Sequence, residues 1–301
     1  MHSRILPLLL LFPLVASPAA PAAAPAIALA EHPLLDVIVQ RDDAQRLDRE
    51  ALLRRAASAE VLLLGEVHDN PEIHRLRAWL LARLVEAGRR PAVAFEQIDL
   101  EDSDAVRDCQ RRGCDADALA AAVNWSASGW PDFALYRPIF EVVLSQGLEI
   151  RPANPGRDTV RRLALGETAP EAALRALDES RPTVARAALE QTLRDSHCGM
   201  LPESALPGMV LAQTARDRAM AEALQAEGPQ VLMAGNGHIT ASGVPWVLDR
   251  LGDTRPRLSV AWLEVEDGLT ELDEALNAAP QVDVIWFTLR TERPDPCAAF
   301  R

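Results

Sequence analysis

Lysine is absent from this chain: all 31 basic residues are arginine, set against 44 acidic ones, for a formal charge of −13. That balance leaves no basic footprint for a nucleic-acid partner and suits a solvated acidic surface. Tyrosine occurs once, as Tyr136. Beyond residue 30 no stretch approaches the ~20 uninterrupted apolar residues that a membrane-spanning helix needs, so no transmembrane span is expected. There is no G-x-S-x-G elbow and no H-E-x-x-H helix, which withholds support from a serine hydrolase or a zincin. No tandem repeat of fixed period is present.

What is there begins with a targeting pattern. Arg4 supplies a positive start, residues 5–15 an apolar stretch, and the Ala/Pro run after it the small residues of a cleavage region. Ala28-Leu29-Ala30 fits an A-x-A site, with Ala22-Ala23-Ala24 as a second candidate. The apolar stretch is short for a span and holds Pro7 and Pro13. No cysteine lies nearby to carry a lipid anchor. Residues 1–30 are therefore read as a signal peptide and residues 31–301 as an exported, periplasmic or extracellular body. Export gives meaning to Cys109, Cys114, Cys198 and Cys297, which allow three connectivities. Cys109 and Cys114 are close in sequence with Gly113 between them, which leaves Cys198 for Cys297. Two disulfides are expected in an oxidising compartment, with free buried thiols as the alternative. No histidine stands at zinc-ligand spacing beside either pair.

The body alternates in the manner of an α/β fold with a mostly parallel central sheet flanked by helices. Residues 34–57 read as one or two entry helices. Val61-Leu-Leu-Leu64 reads as a buried strand that breaks at Gly65 and enters a helix at Asn70-Pro71, where Asn caps free amides and Pro needs none. The helix runs over 71–87 on an apolar stripe of Ile73, Leu76, Leu80 and Leu84, with Gly88 as terminator. Residues 91–96 form a second apolar strand ending on Glu96. Further strands are expected at 148–152, 230–234, 258–265 and 282–289. Residues 101–123 read as helical, 125–131 as an irregular loop, and 157–207 as a helical insertion of three helices. A helix at 209–226 puts Gln213, Arg216, Asp217 and Met220 on one face, where an Arg–Asp ion pair would orient it.

Two G-x-x-H connections, Gly65-Glu-Val-His68 and Gly235-Asn-Gly-His238, follow strands. With Gly129-Trp-Pro-Asp-Phe-Ala-Leu-Tyr136, His197-Cys-Gly199, Ala212-Gln-Thr-Ala-Arg-Asp217 and Gly243-Val-Pro245, they resemble the Tiki/TraB and erythromycin-esterase superfamily. Within it they resemble the ChaN-type haem-binding branch, from about residue 55 to the carboxyl end. The resemblance implies an exported or surface-attached protein with a helical subdomain on an α/β core, associated with haem or iron uptake. Many such proteins are lipoproteins; this chain lacks the lipobox cysteine.

Ferric haem needs an axial ligand, an apolar slot and cations near its propionates. Tyr136, His197, His68 and His238 are the candidate ligands, and Arg216 the candidate cation. Trp125, Trp130, Met209 and Met220 are candidate walls. Haem itself and a second copy of the chain are the expected partners. Hydrolysis is the alternative: Glu66, His68, Glu96 and His238 on one rim would give a base, an acid and ligands for a divalent metal, acting on a peptide or ester. The bland reading makes the same four residues a buried network that fixes the strand-end loops. His74 reads as facing out of its helix, and His32 as lying in an unstructured start.

Overall fold

The computed structural model describes residues 27–294, 297 and 298. Most of the expected signal peptide, residues 1–26, lies outside the described residues. In chain order the strands are β1 (Ile27–Ala28), β2 (Ile38–Gln40), β3 (Arg46–Leu47), β4 (Val61–Leu64), β5 (Ala92–Asp99), β6 (Ile150–Asn154), β7 (Gln230–Met233), β8 (Arg257–Glu264), β9 (Val284–Thr288) and β10 (Arg290–Thr291). The helices are α1 (Arg49–Ser58), α2 (Pro71–Glu86), α3 (Ser103–Arg111), α4 (Ala116–Ala122), α5 (Trp125–Ser128), α6 (Phe133–Ser145), α7 (Arg157–Ala164), α8 (Ala172–Glu179), α9 (Thr183–Ser196), α10 (Leu206–Ala223), α11 (Val244–Arg250) and α12 (Leu272–Ala278).

Eight strands form one sheet in the order β3-β2-β9-β8-β4-β7-β5-β6, while β1 pairs separately with β10. From β9 to β6 every pairing is parallel; β2 joins β9 antiparallel and β3 joins β2 antiparallel. The expected α/β class holds, with one correction. The stretch read as entry helices is β2, β3 and then α1, because Ile38 and Val39 are completed by pairing with β9, a partner more than 200 residues away in sequence. In the unprocessed chain residues 27–28 form β1 against β10.

Alternation along the strands feeds two cores, one on each face. Leu62, Leu64, Phe95, Met233, Trp262 and Trp286 face one way, against α1, α2, α3 and α6. Val61, Leu63, Ala94, Leu232, Ala261 and Ile285 face the other, against α10 and α11. Four-residue runs such as Val61–Leu64 are buried throughout because helices cover both faces of the sheet. The segment read as a helical insertion holds α7, α8 and α9, which pack on α10. At the outer edge, β6 carries Pro152, and the Gln110 side chain accepts from the Ile150 amide at 3.1 Å and donates to the Leu148 carbonyl at 2.7 Å. Two disulfides join Cys109 to Cys114 and Cys198 to Cys297, the pairing expected from the sequence. No helix among the described residues is long and apolar enough to cross a membrane.

Candidate functional site

Register decides what meets at the carboxyl rim of the sheet. Leu64 of β4 and Phe95 of β5 both stand opposite Met233 of β7. The residues just past that level, Gly65-Glu66, Glu96 and Ala234-Gly235, therefore emerge together, where an open α/β sheet forms its ligand crevice. The expected convergence of the two G-x-x-H turns is present in the geometry. A side chain at Gly65 would collide with Asn236 and Ile239. A Cβ on Gly235 would lie 3.0 Å from His68 Cε1, 3.1 Å from His68 Nε2 and 3.6 Å from Glu96 Oε2. Glycine at 235 is what lets His68 and Glu96 approach the same point.

Two polar networks meet there. The first is built on Glu66, which is 2% exposed. Its Oε1 accepts from His68 Nδ1 at 2.6 Å, Gln97 Nε2 at 2.9 Å and the Tyr136 hydroxyl at 3.1 Å. Its Oε2 pairs with Arg77, and His74 Nδ1 stands 3.6 Å away. Arg77 also donates to the Leu64 carbonyl at 3.2 Å. His74 is buried, contrary to the outward-facing expectation, and its Nε2 donates to the His68 carbonyl at 2.9 Å. Helix α2 is covered by α6 as well as by the sheet, so its polar positions 74 and 77 face Glu66 instead of solvent. Burial lowers the His74 pKa to about 4, and the ring is neutral.

His68 is the exposed end of this network. Its side chain is 41% accessible, its ring meets Trp130 edge-on at 5.0 Å, and among the described residues none hydrogen-bonds its Nε2. Burial and the neighbouring His238 and Arg216 hold its pKa below the ordinary imidazole value, against the pull of Glu96. With Nδ1–H given to Glu66, the Nε2 lone pair is free. Tyr136 lies beneath: it is 1% exposed, its ring is 4.2 Å from that of His74, and burial raises its pKa well above the phenol range.

The second network is built on Glu96, which is 1% exposed. Its Oε2 accepts the Gly235 amide at 2.7 Å; its Oε1 faces His238 Nε2 at 3.4 Å and Arg216 Nη1 at 3.6 Å. His238 Nδ1 donates to Asp217 Oδ1 at 2.7 Å. Asp217 Oδ2 is 3.3 Å from Nη2 of Arg181, a buried residue between α8 and α9 that also donates to Thr214 and the Ser242 carbonyl. Burial alone would lower the His238 pKa, but Glu96 and Asp217 raise it to about 10. Glu96, pushed up by burial, is carried well below the carboxylate range by His238 and the Gly235 amide. His238 is thus an imidazolium with a carboxylate at each nitrogen.

The expected Arg216–Asp217 pair does not form: neighbours on α10 point to different partners, Glu96 and His238. Arg216 keeps its Nε unpaired. His197 caps α9, exposed, with Nδ1 on the Leu193 carbonyl at 2.7 Å, and none of its hydrogen bonds reaches the rim. His32 is ordered too, with Nε2 on the Glu266 carbonyl at 3.1 Å. Among the described residues no three His, Cys, Asp or Glu side chains are grouped to hold a metal ion. The divalent-metal expectation is corrected on that ground, since the oxygens of Glu66 and both nitrogens of His238 are already engaged. Sequence reading missed Arg77, Gln97 and Arg181. The first two carried a usable signal, being three residues past His74 on one helix and adjacent to Glu96.

A doubly flanked, mostly parallel sheet with charged groups gathered at its carboxyl rim places the protein in the α/β class. Residues 52–248 match the model of the family described as haem-binding uptake, Tiki superfamily, ChaN, and the chain belongs to that family. Among solved structures it is similar to one described as cofacial heme binding to ChaN of Campylobacter jejuni, with 20% identity, 85% of this chain and 97% of that one covered, and a TM-score of 0.68. It is also similar to an erythromycin esterase mutant in its open conformation, with 12% identity, 85% and 98% covered, and a TM-score of 0.45. No curated protein matches.

Proposed function

We propose that this chain is an exported haem-binding protein serving haem or iron uptake, with His68 as the residue that meets the iron. The observation that carries the reading is the state of His68: neutral, half-exposed, with Nδ1 fixed on a buried carboxylate and Nε2 unclaimed. Hydrogen bonding at the far nitrogen orients a ligating imidazole and increases its basicity. The donor set suits a ferric tetrapyrrole. Trp130 supplies an aromatic edge beside the ligand, and Arg216, its side chain 24% exposed, presents a guanidinium to a propionate. When bound, haem supplies redox-active iron and a flat apolar surface; the protein's part is to hold, orient and shield it.

Tyr136 takes a supporting role in this reading, since a phenolate there would form beside Glu66. His238 stays a cation within the wall, because both of its nitrogens face carboxylates. The Campylobacter jejuni relative is described as binding heme cofacially; a second copy of this chain would supply a second haem in the same manner. The two disulfides accord with an oxidising compartment.

Hemin titration of the purified mature protein tests the reading. A saturable Soret shift is expected, abolished in His68→Ala, altered slightly in Tyr136→Phe and unchanged in His197→Ala. An unmoved hemin spectrum overturns it. Hydrolysis is favoured by one observation: a neutral His68 and a charged His238 flank Gly235, which is how a general base and a general acid would be divided. Metal-free turnover of an ester or peptide panel, lost in both His68→Ala and His238→Ala, would favour that reading instead.

A further inference from the structure

The loop carrying His68, residues 65–70, is held from inside by Glu66 and from outside by the end of the chain. Asn70 closes the loop: its amide donates to the Val67 carbonyl at 3.0 Å, and its side-chain oxygen caps α2 at the Ile73 amide at 3.1 Å. Its Nδ2 donates to Glu264 Oε1 at 2.7 Å and to the Leu289 carbonyl at 2.8 Å. Glu264, the last residue of β8, also accepts the Thr291 amide at 3.1 Å.

Arg293 joins these pieces. Its Nε and Nη2 donate to both oxygens of Asp69, at 2.8 and 2.7 Å. Its Nη1 and Nη2 donate to both oxygens of Glu264, at 2.6 and 2.8 Å. Asp69 is the residue after His68. A guanidinium fork meeting two carboxylates edge-on fixes direction as well as distance, which an ammonium would not. Arg293 lies two residues past Thr291, whose amide is held on Glu264, and four before Cys297, which is bonded to Cys198 just after α9. The segment is therefore anchored on both sides of Arg293, once by a backbone hydrogen bond to β8 and once covalently.

We infer that Arg293 is a positioning residue of the rim site: the carboxyl-terminal segment, tethered through Cys198–Cys297, clamps the 65–70 loop from outside and sets the direction of His68. An isolated exposed ion pair contributes little to stability. The clamp acts instead through geometry, because a ligating side chain on a loop is only as well placed as its supporting contacts. Its consequence for haem rests on the function proposed above; the clamp itself does not.

Hydrogen exchange on the full-length mature chain without haem tests it. Arg293→Ala and the double variant Cys198→Ser/Cys297→Ser are each expected to speed exchange of the Asn70 amide at least ten-fold, leaving the amides of residues 62–64 at wild-type rates. Arg293→Lys should fall between. The same two variants should weaken hemin binding at least five-fold. Unchanged Asn70 exchange in Arg293→Ala overturns the clamp, and unchanged exchange in the cysteine variant overturns the tether. Faster exchange with undiminished hemin affinity overturns the positioning role. If the wild type gives no Soret shift, the haem reading fails while the exchange rates still decide the clamp.

Discussion

Asp217→Asn is the sharpest test of the charge arrangement at the rim. The substitution keeps shape but removes the carboxylate that holds His238 Nδ1 and faces buried Arg181. In the folded chain His238 has its pKa raised from 6.5 to about 10. At about 1.36 kcal/mol per unit, the imidazolium contributes at most on the order of 4–5 kcal/mol, counted once because the same contact lowers Glu96. The folded value lies above the unfolded one, so this contribution is complete below pH 6.5 and is lost as pH climbs through about 10. Removing one member of a buried charge pair costs roughly 3–5 kcal/mol, and Asp217→Asn is expected to lose about 3 kcal/mol at pH 7 with a flatter alkaline limb. His74 has the opposite sign: its folded value is lowered from 6.5 to about 4, so stability falls as pH drops across that interval. Denaturant unfolding from pH 4 to pH 10.5, with imidazole carbon shifts followed by NMR, measures both limbs. A wild-type His238 titrating near its ordinary value, or an Asp217→Asn loss under about 1 kcal/mol where roughly three times that is expected, would refute the reasoning.

Gly235→Ala should displace His68, whose Cε1 and Nε2 lie 3.0 and 3.1 Å from the added carbon; hemin affinity should drop at least ten-fold in a titration while the melting temperature shifts by only a few degrees, since His68 can swing outward. The two disulfides should differ in weight. Loop-closure entropy gives about 2 kcal/mol for the five-residue separation of Cys109–Cys114 and roughly 4.7 kcal/mol for the 99-residue separation of Cys198–Cys297, so the second Cys→Ser pair should lower the denaturant midpoint about twice as far as the first.

The frame of this site was legible because it is local. A four-residue apolar run before Gly65, and Asn70-Pro71 after it, fix a strand, a turn and a helix start through nearest-neighbour chemistry alone. Repeating the pattern at Gly235 placed the second turn on the same rim once both strands proved parallel. What stayed hidden depends on which faces are covered. Position 74 looks like the solvent side of α2 when only the Ile73–Leu76–Leu80 stripe is counted, and nothing in the helix itself reveals that α6 covers that side, whereas Arg77, four past Ile73 and three before Leu80, falls on the stripe itself. Arg181 is one arginine among many in the insertion, and only tertiary contact with Asp217 and Trp246 distinguishes it. The strands β2 and β3 escaped notice because two or three residues carry no period.

The far border of the sheet limits how copies of this molecule can meet. Unpaired strand borders invite other chains to extend them, but here a ring nitrogen at Pro152 removes one donor and a glutamine amide stands in for a neighbouring strand at Ile150. Stacking border to border into fibres is discouraged. In the haem-sharing pair proposed above the contact is the opening over His68 instead, where self-association would end at two and not continue indefinitely.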